Sequence, residues 1–101
     1  MGLSGPGDWV EVEKLTAQSL TDAKEINNEN LIAWCLWNLA GTALGQHQAE
    51  RALKLAEESY LLWNRTDDEM GRALAFLRLS ASHLALNHLD QAAADFRAGL
   101  K

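Results

Sequence analysis

Few side chains in this sequence can make or break bonds, and their spacing keeps them apart. His83 and His88 lie five residues apart, so they do not share a helix face; His47 is farther still. No cysteine or acidic pair completes the tetrahedral set that zinc requires. Cys35 lies inside the run Leu31-Ile32-Ala33-Trp34-Cys35-Leu36-Trp37-Asn38-Leu39-Ala40, where it reads as a small buried hydrophobe rather than a nucleophile. Asp67-Asp68-Glu69 sets three carboxylates in a row but lacks the alternating ligands and glycine of a calcium loop. Helix capping is the expected role. No glycine-rich phosphate loop is present. The expectation is a chain that is not an enzyme and uses no cofactor and no metal.

Composition narrows the partners. The 101 residues suffice for one small domain, and an apolar share of 48% with 23% charged is that of a soluble globular protein. Net charge is −5 without a basic stripe, which argues against nucleic acid, whose affinity comes mainly from phosphate neutralisation. No apolar run approaches the roughly 20 residues that span a bilayer, so no membrane is expected. The lone Cys35 forbids an internal disulfide framework, and a cytoplasmic location is the simpler expectation. Residues 1–7 read as a flexible lead-in without a signal-peptide run, and residues 8–101 as a single domain.

Positioning falls to helices. Shifted by 40 residues, the sequence meets itself: Lys14, Leu15 and Ser19 match Lys54, Leu55 and Ser59; Glu29 and Ala33 match Glu69 and Ala73; Leu39, Leu44 and Ala52 match Leu79, Leu84 and Ala92. A unit of that size cannot bury its own apolar face and must stack on its neighbours. Five helices are predicted. The first spans about 9–26, opened by Asp8 with Glu11 and carrying Val12, Leu15, Ser19, Leu20 and Ala23 as its inward stripe. Asn27 and Asn28 break it. The second spans about 29–44, stopped by Gly45 in the left-handed conformation. The third covers about 48–64. The fourth, about 68–86, follows the pattern Thr66-x-x-Glu69, and the fifth, about 89–100, has the stripe Leu89, Ala92, Ala93, Phe96 and Leu100. The second and fourth are apolar nearly all round and are expected inside, with the other three outside.

This pattern resembles the tetratricopeptide-repeat family. Phe76, Leu79, Ser80 and His83 fit its first helix, Asn87 its turn, and Leu89, Ala92, Phe96 and Gly99 its second helix. One period earlier, Leu36, Leu39, Ala40, Ala43, His47, Ala49, Ala52, Ala56 and Ser59 take the same places. The 40-residue spacing exceeds the family's 34 and is similar to the longer, divergent repeats of bacterial signalling and transcription-regulator arrays. The resemblance implies an all-α solenoid of antiparallel helix hairpins whose inner helices line a groove. Carried over by position, the lining is Trp34, Trp37, Gly41 and Leu44 from one hairpin and Leu74, Leu77, Ala81 and Leu84 from the next. Those positions hold none of the Lys, Arg or Asn with which some members grip a carboxylate, and only Asn38 and Arg78 are near, so an apolar groove is expected rather than a carboxylate clamp.

The implied function is a protein-interaction module that binds a peptide or helix through an apolar groove with partner contacts at Trp34, Trp37, Leu44, Leu74, Leu77 and Leu84. Two other readings stay open. A homodimer consumes the same surface: repeat arrays need polar terminal helices, and this chain begins and ends on a helix of the second type, so either it is a fragment of a larger array or a second copy covers its inner helices. A sensor fragment holds a small apolar ligand there. Both inner tryptophans equally suit core filling, while Trp9 and Trp63, near helix ends, are expected to cover the edges of the stack.

Overall fold

Three connections of the same backbone shape set the register of the molecule. Asn27, His47 and Asp67 each adopt positive φ, at 55°, 63° and 57°, and each is followed by one N-terminal cap residue. They are spaced 20 residues apart (47 − 27 = 67 − 47), half the period seen in the sequence. The computed structural model describes residues 6–86, 94 and 96–99. Its helices are α1 (Pro6–Glu25), α2 (Glu29–Gly45), α3 (Ala49–Arg65) and α4 (Glu69–Ala85). Residues 94 and 96–99 are helical as well, and the described residues contain no strand. The fold is all-α, built of antiparallel helix hairpins joined by short turns. No helix among the described residues is long and apolar enough to cross a membrane.

The caps follow from residue type. Asn28 accepts a hydrogen bond from the Leu31 N–H at 3.1 Å, and Asp68 accepts one from the Gly71 N–H at 2.8 Å, the same offset in both inner helices. The expected capping box at Thr66 does not form. Thr66 instead donates its hydroxyl to the Trp63 carbonyl at 3.3 Å, while Asp68 takes the cap and Asp67 pairs with Arg72. The left-handed residue after α2 is His47, not Gly45, which remains helical. Gly45 is small for a different reason: a Cβ there would collide with the indole of Trp9. The first helix begins at Pro6, earlier than Asp8 suggested, with proline in the first turn where its missing N–H costs nothing.

Small residues let the helices approach. Ala33, Ala40, Ala43, Ala52, Ala56, Ser59 and Ala75 are fully buried, with Leu36, Leu39 and Leu79 filling the spaces between them. α2 and α4 approach each other directly, whereas the α1 and α3 backbones do not, so α2 and α4 share one layer and α1 and α3 the other. The C-terminal helical residues lie against α4, because a Cβ on Gly99 would come within 3.1 Å of the Phe76 Cβ.

Two apolar stripes differ from expectation. Val12 and Leu15 are 44% and 61% exposed, and Ser19 is exposed. The end of the expected stripe does face inward, with Ala23 fully buried and Leu20 half-buried, and Trp9 adds a contact at Gly45, whereas Val12, Leu15 and Ser19 stay uncovered by any described residue. Phe96 is 48% exposed rather than core. Leu89, Ala92, Ala93 and Leu100, with the turn at Asn87, lie outside the described residues.

Candidate functional site

The two inner helices present matching positions 40 residues apart, and the structure brings them edge to edge. On α2 the positions 34, 37, 41 and 44 recur every three to four residues and share one face; on α4 so do 74, 77, 81 and 84. The Trp37 Nε1–H donates to the Leu74 carbonyl at 3.0 Å, a bond that ties the two faces together. That contact uses the indole's single polar atom, while its ring packs against Trp34 and lies under Arg78.

Burial separates the predicted residues into two groups. Trp34 is half-buried and stands edge-on to Trp37 and Trp63, with centroids 5.6 and 5.2 Å apart. Trp63, expected at an edge, is the deepest member of this cluster: it is fully buried and donates its Nε1–H to the Asn30 side-chain oxygen at 2.9 Å. Gly71 makes room for it, because a Cβ there would collide with its indole. Trp34 thus belongs mostly to packing. Toward the other end the wall opens. Leu77 and Leu84 are 43% and 53% exposed, and Leu44, Leu74, Ala81 and Gly41 are half-buried. Met70, two turns before Leu77 along the same α4 face, is 72% exposed.

Arg78 is the residue that the sequence placed only nearby and the structure places in the middle. Its guanidinium carbon lies 3.8 Å from the centroid of the Trp37 ring. It also covers Gly41, where a Cβ would stand 3.0 Å from the guanidinium carbon. The glycine therefore permits the arginine to lie across α2. Its Nε is buried without an acceptor, and burial pulls its pKa down from the ordinary value. Arg51, Arg65 and Arg72, by contrast, each hold a carboxylate at 3.1, 2.8 and 3.1 Å. The signal in the sequence is faint: a second arginine of α4, set between Leu77 and Leu79, one period after Asn38.

The groups weighed for other chemistry are dispersed. Cys35 is 4% exposed, and burial pushes its thiol pKa up, away from the thiolate that nucleophilic attack needs. His47 is exposed in a turn, and His83 is half-buried on α4. Among the described residues no cluster of His, Cys, Asp or Glu is arranged to hold a metal ion. A crevice of about 540 Å³ opens between α4 and the C-terminal helical residues, lined by Glu69, Met70, Arg72, Phe76 and Gly99, so Met70 borders it. No family profile, curated protein or solved structure matches this chain.

Proposed function

We propose that the chain is a protein-interaction module of tetratricopeptide type, taking up a peptide or helix on the joined faces of α2 and α4. One observation carries this reading. Leu77 and Leu84 stay 43% and 53% exposed along one α4 face that also carries Met70, 72% exposed, on the helix that the Trp37–Leu74 hydrogen bond joins to α2, where Leu44 is half-buried. A run of exposed large apolar side chains on neighbouring helices is the usual mark of a contact surface. Residues at i, i+7 and i+14 repeat every two turns, which suits a partner helix laid along the same axis.

The role assigned is binding rather than catalysis, because the one thiol is buried and the described histidines are not gathered at this face. A second reading, self-association, draws on the exposed Val12 and Leu15 of α1, an apolar strip of its own. Both are tested by one pair of measurements. Multi-angle light scattering over a hundredfold dilution reports copy number. Native pull-down is then compared between the wild-type chain and Leu77→Ser/Leu84→Ser with circular dichroism as a fold control. A monomer that retains specific partners only with both leucines intact supports the module. A dimer that survives dilution and dissociates on substitution within the α1 strip, as in Leu15→Ser, supports self-association instead.

A further inference from the structure

We propose that Arg78 is the recognition point for a carboxylate side chain on the bound segment, so that the surface takes an acidic–apolar peptide rather than a purely apolar one. The inference rests on the interaction reading above and names the partner's chemistry. Arginine does not give up its charge in proteins, so a half-buried guanidinium must find a compensating group or forgo solvation. The chain carries 14 acidic against 9 basic residues, yet no carboxylate among the described residues pairs with Arg78. Three other arginines are paired.

The geometry leaves the charge usable. Stacking on Trp37 and Gly41 fixes the plane of the guanidinium through its face, whereas hydrogen bonds to a carboxylate are made through its edge, in plane and two at a time. A pre-ordered arginine loses less side-chain entropy on binding than a free one. Leu77 and Leu84 on the same helix are seven residues apart, about 10 Å at 1.5 Å per residue. A matching helix therefore has two large apolar side chains seven residues apart, with an Asp or Glu one turn in from either. Net charge of −5 disfavours a polyanion, whereas one carboxylate among apolar residues brings little repulsion.

The test selects 12-residue peptides from a random display library against the intact chain, then measures dye-labelled synthetic versions by fluorescence anisotropy. The expected winners carry an acidic residue between apolar ones. Arg78→Gln should weaken them about tenfold, Glu→Gln in the peptide should do the same, and the two changes together should cost little more than either. Arg78→Lys should recover only part, since a point charge lacks the planar fork. Winners without an acidic residue, or affinity within about twofold for Arg78→Gln, overturn the proposal. If the winners still depend on Leu77→Ser/Leu84→Ser, the surface stands and only its charge recognition falls. If they ignore these changes too, the binding surface itself is wrong. A dimer that Arg78→Gln dissociates also overturns it, because the carboxylate would then come from a second copy.

Discussion

At the scale of single residues, glycine does two different jobs in this molecule, and substitution separates them. Gly71 faces an indole that cannot retreat: Trp63 is fully buried, hydrogen-bonded to Asn30 and held edge-on by Trp34. Gly41 faces only the far end of Arg78, a flexible side chain. Gly71→Ala should therefore cost about 1–3 kcal/mol by overpacking, more than any gain in helix propensity. Gly41→Ala needs a shift of a few tenths of an ångström at Arg78 and gains up to about 1 kcal/mol of helix propensity. Urea unfolding of both reads the contrast, and equal stability would mean that Trp63 is not locked. Cys35 gives a pH-dependent counterpart. Its thiol pKa is raised in the folded state, so its contribution to stability is complete below the unfolded thiol's value of about 8.5 and is lost as pH rises through the folded value. Stability of the wild-type chain should fall more steeply with pH above about 8.5 than that of Cys35→Ala. Parallel slopes for the two would show the thiol to be exposed to solvent in the folded state.

At the scale of helices, exposure decides which apolar residues matter. Leu15→Ser, on the uncovered strip of α1, should change stability by less than about 0.5 kcal/mol. Leu39→Ala, 5% exposed between α2 and its neighbours, should cost about 2–5 kcal/mol. Chemical denaturation measures both, and comparable losses would mean that Leu15 is covered in solution. The helices themselves are readable because Asn27-Asn28 and Asp67-Asp68 are residue types that tolerate the left-handed turn and then cap the next helix. Gly45 misleads because a glycine at a helix end reads as a left-handed stop, while here its missing Cβ serves Trp9. The strip Val12–Leu15 misleads for a related reason: periodicity says that a face is apolar but not that anything covers it. Trp63 reads as an edge residue because its place near the end of α3 is visible in sequence, whereas the partner helices that enclose it are not. The same limit hides Arg78, whose importance comes from Trp37 and Gly41 on another helix.

At the scale of the whole molecule, neighbour-only packing should make stability uneven. α2 is wedged among α1, α3 and α4, whereas α1 packs on α2 alone among the four helices. α1 also exposes Val10, Val12 and Leu15, at 58%, 44% and 61%, so it contributes less buried apolar area per residue. Its outward connection to the body is the Glu13–Arg51 pair at 3.1 Å, partly exposed and therefore weak. In such an arrangement α1 can open while the α2–α3–α4 unit stays closed, since nothing in that unit's interior depends on α1 except the face of α2 it covers. Native-state hydrogen exchange should show α2 amides near Leu36–Ala43 exchanging only through global unfolding. Amides in the middle of α1 should exchange at least about tenfold faster, with a weaker denaturant dependence that marks partial opening. The coupling can be checked by removing the salt bridge. Glu13→Gln should speed exchange in α1 and leave α3 unchanged. Identical protection across α1 and α2 would mean that the four helices unfold as one cooperative unit, and that the hairpin-by-hairpin build of the fold has no energetic counterpart.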